Sequence, residues 1–209
     1  MSDIGLLYVG AVLIINGVML LGVMTGRDAA PLNLFVGAMQ VFTPTMMVVG
    51  AQGDDAVILA ASGLYLFGFT YLWVGINALA GLPARGLGWF SLFVAVAAIG
   101  FAGATWAQGG RVFVVIWILW AVLWMLFFLV LGLEKQGLTR FTGAVAVTEG
   151  IGTAAIPAWL SLTGGLRDSD TLALVYAVAA VLVLPILYAL TRVRTAGSSS
   201  AEAVAPGVG

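Results

Sequence analysis

The chain has 209 residues, of which 62% are apolar and only 8% charged, with a formal net charge of -1 and a mean hydropathy of +1.14. That composition excludes a soluble domain and defines an integral membrane protein. With no cysteine and no histidine, it also lacks the parts for His or Cys haem ligation, thiolate metal sites, a Ser-His-Asp hydrolase, thiol redox chemistry or a histidine pH gate.

A membrane-crossing helix needs roughly 20 mostly apolar residues, and the sequence predicts seven, at 4–24, 32–51, 56–80, 87–107, 112–132, 142–163 and 171–190. The expected fold is therefore an all-α, seven-helix membrane bundle, with residues 1–194 as one transmembrane channel domain and the Gly/Ser/Ala-rich 195–209 as a flexible tail. The first span is predicted to stay as a helix rather than be cleaved, because Asp3 stands where a signal peptide has basic residues. Along that span Leu6, Gly10, Leu13 and Gly17 share one face. In the third span Phe67, Tyr71 and Val74 do so at spacings of four and three. In the fifth, Phe113, Trp117, Trp120, Trp124 and Phe128 fall in a band about 80° wide at about 100° per residue. The sixth carries Glu149 on a face with Gly152, Thr153 and Ile156, eight residues before Pro157. The seventh has no lysine, so a retinal Schiff base has no anchor there.

Alternating the joints from an outside N-terminus places Arg27, Arg85, Lys135, Arg140, Arg192 and Arg194 in the cytoplasm and only Arg111 and Arg167 outside. The positive-inside bias thus predicts an outer N-terminus and a cytoplasmic C-terminus, an arrangement that requires an odd number of crossings.

Small-residue and aromatic faces in membrane bundles more often pack helices than line a pathway. Trp120 and Trp124 nevertheless lie near mid-span, away from the interfacial belt that tryptophan favours. An indole N–H without a partner there costs a few kcal/mol, about 2–7 by transfer scales, which a polar passage would relieve. Glu149 is the only Asp, Glu, Lys or Arg well inside a span, and such a group marks a functional site by default. The plain structural alternative is a carboxyl bonded to Thr148, Thr153 or Tyr71 to tie helices together. Pro157 is expected to disturb the sixth helix and free a backbone carbonyl.

Together the strings Leu6-Leu-Tyr-Val-Gly-Ala-Val-Leu13 with Asn16-Gly17, Asn33-Leu-Phe-Val-Gly37, Phe67-Gly-Phe-Thr-Tyr-Leu72 with Asn77, Ser91-Leu-Phe-Val-Ala95, Trp117-Ile-Leu-Trp-Ala-Val-Leu-Trp124 and Glu149-Gly150 leading to Ile156-Pro-Ala-Trp-Leu160 resemble the urea channel and short-chain amide transporter family (AmiS/UreI) over residues 4–163. The resemblance implies a homo-hexameric ring of protomers around a lipid-filled centre, each with its own channel. It implies constrictions at Leu6, Leu13, Phe67, Tyr71, Trp117, Trp120 and Trp124, with Glu149 as the lone buried acid; Val74 and Thr153 join them by helical face. The expected solute is a small neutral amide or urea, slotted between ring faces, with the Tyr71 hydroxyl and indole N–H groups facing its carbonyl and Glu149 its amide. Dry constrictions at Leu6 and Leu13 would exclude ions.

Two departures from the acid-gated urea channels stand out. The joints Ala51-Gln-Gly-Asp54-Asp55 and Gln108-Gly-Gly-Arg111 are short and lack histidine, and carboxylates in water titrate near about 4. No activation by mild acid is expected. The seventh span is additional to the six of those channels and packs either outside the bundle or at a ring interface. Passive diffusion through a bacterial cytoplasmic membrane, supplying a cytoplasmic amidase or urease, is the first expectation. Proton coupling through Glu149 and a non-transporting assembly or sensor subunit are the alternatives. An enzyme, a cofactor and nucleic-acid binding have no residues to carry them.

Overall fold

In the computed structural model, which describes residues 3–202 with side chains to Arg192, seven helices are long and apolar enough to cross a membrane among the described residues. α1 (Asp3–Leu20) is followed by α2 (Gly26–Gly50). α2 starts ahead of the expected residue 32 because Thr25 and Asp28 form a capping box: the Thr25 hydroxyl accepts from Asp28 N–H while the Asp28 carboxylate accepts from Thr25 N–H at 2.8 Å. The helix then runs through Pro31 and Pro44. α3 (Asp55–Ala80) opens on Asp54, whose carboxylate accepts from Ala56 N–H at 2.9 Å, and stops at Gly81, where φ is 65°. That left-handed conformation suits glycine.

α4 (Arg85–Ala107) and α5 (Val112–Phe127) come next, with α5 prolonged by a π turn over Phe128–Gly132. The first N–H groups of α5 are capped from a distant joint, since Asp168 accepts from Val112 N–H at 2.8 Å and from Arg111 N–H at 3.0 Å. The sixth crossing is built of α6 (Thr139–Glu149), a π turn (Gly150–Ala155) and α7 (Ile156–Leu162). α8 (Asp170–Glu202) is the seventh crossing and continues as helix past the expected end at 190. The remainder of the expected tail, 203–209, lies outside the described residues.

Neighbouring crossings pack in chain order, α1 on α2, α2 on α3, α3 on α4, α4 on α5 and α5 on α6, and α1 closes the ring against α6, its π turn and α7. Six crossings thus surround one interior. α8 lies outside that ring, against α5 and α6. The closure depends on small residues. A Cβ on Gly10 would lie 2.7 Å from the Ala155 backbone nitrogen, and one on Gly17 would lie 2.6 Å from the Gly143 carbonyl oxygen, so only glycine lets α1 meet the sixth crossing this closely. α1 and α2 are joined by a reciprocal amide pair, Asn16 Nδ2 to Asn33 Oδ1 at 2.9 Å and Asn33 Nδ2 to Asn16 Oδ1 at 2.7 Å. Asn33 Nδ2 also donates to the Ala29 carbonyl at 2.9 Å, whereas both carboxamide oxygens depend on the reciprocal pair for a partner.

The two ends are held by polar contacts. Ser161 donates to the Asp3 carboxylate at 2.8 Å at one end, and Arg85 meets Glu134 at 2.7 Å at the other. The second pair is largely exposed and contributes about 0–1 kcal/mol.

Candidate functional site

α1, α3 and α5 each turn one face into the ring, and the stripes predicted on them meet there. Leu6, Leu13, Phe67, Tyr71, Trp117, Trp120 and Trp124 belong to one buried cluster, none more than 6% exposed. Phe67 is its hub. Its ring centroid lies 5.0 Å from Trp120 and 5.1 Å from Trp124, both edge-to-face, and 5.7 Å from Trp117, stacked. Trp117 also meets Trp120 edge-to-face at 5.0 Å and stacks on Phe101 at 4.9 Å. These are favoured aromatic geometries, each contributing about 0.5–1.5 kcal/mol beyond area burial. Of the rest of the fifth-span stripe, Phe128 is buried against Trp89 and Phe113 is only partly buried.

The indole donors differ from expectation. Trp120 Nε1 donates to Thr153 Oγ1 at 2.9 Å, and Thr153 in turn donates to the Glu149 carbonyl at 2.6 Å. Trp124 Nε1 donates to Thr70 Oγ1 at 3.3 Å, and Thr70 donates to the Leu66 carbonyl at 2.8 Å. Threonine hydroxyls, not a polar passage, therefore satisfy both mid-span indoles. These two N–H groups are not free to bond a solute.

Free polar atoms lie one step further along. A cavity of about 240 Å³ opens at the end of the bundle near the α3–α4 joint and is walled by Leu13, Asn16, Thr70, Tyr71, Val74, Asn77, Leu82, Leu87 and Ser91, among others. Leu13 and Tyr71 are its most deeply buried lining residues, each 1% exposed, together with Ser91. Here Tyr71 Oη and Asn77 Oδ1 are buried and make no hydrogen bond to the protein. A largely apolar recess with a few convergent polar groups is the usual form of a small-molecule site. Asn77 also donates through Nδ2 to the Pro83 carbonyl at 3.4 Å, so only its oxygen is left without a partner. Sequence reasoning did not single out Thr70, Asn77, Ser91 or Phe101 as site residues. For the first three a signal existed, a polar side chain inside an apolar span; Phe101 gave none.

Glu149 stands apart from this vestibule. It is 5% exposed, and neither carboxyl oxygen has a protein partner. Thr148 donates to the Ala144 carbonyl, Thr153 to the Glu149 backbone, and Tyr71 is unpartnered, so none of the three expected side-chain ties to the carboxyl forms. Glu149 and Thr153 instead line a narrow crevice of about 130 Å³ whose opposite wall is α8, with Tyr176, Ala180, Val183 and Leu187. The structure groups Leu13, Tyr71 and Val74 at the vestibule, Leu6, Phe67, Trp117, Trp120 and Trp124 in the buried cluster, and Glu149 with Thr153 beneath α8. Thr153 bridges the last two groups through Trp120.

A closed ring of apolar helices around a buried aromatic cluster, with a recess at one end, is an architecture compatible with a helical membrane channel or transporter. Residues 1–165 match the family model for AmiS/UreI family transporters. The chain is 51% identical over 197 residues to a protein from Rhodococcus erythropolis described as transporter AmiS2, covering 94% of this chain and 96% of that one. It is 52% identical over 193 residues to a protein from Mycolicibacterium smegmatis described as an amidate substrates transporter, covering 92% and 91%. It is 35% identical to the acid-activated urea channel of Helicobacter pylori, covering 77% of this chain and 96% of the channel. The crystal structure of the H. pylori urea channel superposes with a TM-score of 0.72 at 32% identity, covering 80% of this chain and 100% of the channel. The chain belongs to the AmiS/UreI family.

Proposed function

We propose that the protein is a passive channel for small neutral amides, short aliphatic amides such as acetamide or urea, in a bacterial cytoplasmic membrane. The observation that carries this is the vestibule inside the ring, where the buried Tyr71 Oη and Asn77 Oδ1 lack protein partners. A planar amide presents both a carbonyl acceptor and N–H donors. Tyr71 can donate to the first and Asn77 Oδ1 can accept from the second. Beyond them, Phe67, Trp117, Trp120 and Trp124 pack on one another, a cluster that a flat solute would have to part and that a hydrated ion could not enter without losing its shell. Leu13 and Leu6, seven residues apart on α1, mark dry constrictions about 10 Å apart by helical rise. Bonds to the solute are few, so it is released as readily as it is held.

The amide side of the family is favoured by α8. The alignments to the R. erythropolis and M. smegmatis proteins span 94% and 92% of the chain, too much to omit that helix, whereas the urea-channel alignment spans 77%. The short, histidine-free joints support flux that does not depend on mild acid. The charge bias supports an outer N-terminus and a cytoplasmic C-terminus, which puts the vestibule at the cytoplasmic end, where a cytoplasmic amidase or urease would consume what arrives. A homo-hexamer with lipid at its centre follows from the family resemblance.

A second reading, proton-coupled transport, rests on the unpartnered carboxyl of Glu149. Stopped-flow light scattering on proteoliposomes at equal pH inside and out tests the first. Trp124→Ala should widen the constriction and raise entry of larger aliphatic amides relative to urea. An unchanged size preference would count against a pathway along these rings.

A further inference from the structure

The π turn at Gly150–Ala155 contains one carbonyl that the sixth crossing cannot satisfy by itself. Within the turn N–H groups bond five residues back, as Ile156 N–H does to the Ile151 carbonyl. At the same spacing the Gly152 carbonyl falls opposite residue 157, which is proline and has no N–H. A side chain from another crossing fills that position: Tyr176 Oη of α8 donates to the Gly152 carbonyl at 2.8 Å. The donor therefore comes from outside the ring and outside the family match, which ends at residue 165.

The wide turn also sets the phase of the helix. A π turn holds one residue more than an α turn, so the helix beyond it is rotated by about 100° relative to an unbroken one. Thr153 lies within the turn and receives the Trp120 indole N–H at 2.9 Å. Glu149 directly precedes it and shares the crevice with Tyr176. A continuous bonded path thus runs from Tyr176 through Gly152 and Thr153 to Trp120 of the aromatic constriction.

We infer that Tyr176 is a positioning residue for the pathway: its hydroxyl holds the Gly150–Ala155 turn open and thereby fixes Thr153 and Trp120. α8 is then a part of the channel's working geometry rather than an appended membrane anchor. This rests on the reading of the rings as the solute pathway. If the bond served only to dock α8, its loss could not be repaired from within the sixth crossing.

Full-length wild type, Tyr176→Phe, Pro157→Ala and the double variant should be compared for acetamide and urea entry in proteoliposomes, and for backbone hydrogen–deuterium exchange over the sixth crossing. Tyr176→Phe is expected to lower flux by about threefold to tenfold, the range set by one neutral hydrogen bond, and to speed exchange around Gly150–Ala155. Pro157→Ala restores an N–H to the turn, so the double variant should return to within about twofold of Pro157→Ala alone in both readouts. The inference is overturned if Tyr176→Phe matches wild type, or if its loss is undiminished in the Pro157→Ala background. Should wild type show no flux, the transport reading fails, and the exchange comparison alone then decides whether Tyr176 holds the turn.

Discussion

Replacing Tyr71 by phenylalanine should separate transport from stability. The Tyr71 ring is 1% exposed and is part of the core, its hydroxyl makes no hydrogen bond to the protein, and the residue borders the vestibule. Tyr71→Phe preserves the packing and removes only that oxygen. A passing amide loses one neutral hydrogen bond, about 1 kcal/mol within the usual range of 0.5–1.5, which is a fall of about fivefold in entry rate. Folding loses nothing, because a buried hydroxyl without a partner is a cost that the substitution removes. The assay pairs stopped-flow acetamide and urea entry in proteoliposomes with thermal unfolding of the detergent-solubilised protein followed by helical circular dichroism. The expected result is reduced flux with an unchanged or higher Tm. Flux equal to wild type, or flux and Tm falling together, would refute the assignment of this hydroxyl to the solute.

The same geometry gives three other expected outcomes. Asn16→Leu leaves Asn33 Oδ1 without its partner while Asn33 Nδ2 keeps the Ala29 carbonyl, and Asn33→Leu leaves the Asn16 amide without its partner; each should cost about 1–3 kcal/mol, measurable as a lower unfolding midpoint, while the double substitution should recover much of the loss. Gly17→Ala puts a Cβ 2.6 Å from the Gly143 carbonyl oxygen and should destabilise by about 1–3 kcal/mol through overpacking; an unaltered midpoint would show that α1 has room to move away. Urea and acetamide flux should be flat between about pH 5 and 7.5, the interval in which histidine ordinarily titrates, since the chain has none; a steep rise on acidification would reveal a gate built from carboxyls.

Much of the bundle was legible because lipid imposes a simple rule: each crossing must be a long apolar helix. The inward stripes on α1, α3 and α5 could also be read, since Leu6 and Leu13, Phe67 and Tyr71, and Trp117, Trp120 and Trp124 repeat at helical spacing. Relations between helices were less accessible. Periodicity gives a side chain's angle about its own axis but not the rotation of one helix against the next, so the pairing of Trp120 with Thr153 and of Trp124 with Thr70 was hidden. The same holds for Glu149, whose depth in the sixth span was plain but whose neighbour, α8, was not. Pro157 announced a freed carbonyl; that the irregularity would be a π turn closed by Tyr176 required the three-dimensional arrangement. Asn77 stood out as a polar side chain in an apolar span and as part of a family-like string, but its contact with the Pro83 carbonyl lay beyond sequence reasoning.

Passive permeation is tested most directly by wild-type acetamide and urea entry into proteoliposomes, first at equal pH on both sides and then under an imposed proton gradient, against empty liposomes. Entry well above the empty-liposome rate, with a weak temperature dependence and no response to the gradient, is the predicted result. Flux that appears only with the gradient would contradict passive permeation in favour of proton coupling, and rates equal to empty liposomes under both conditions would contradict transport altogether.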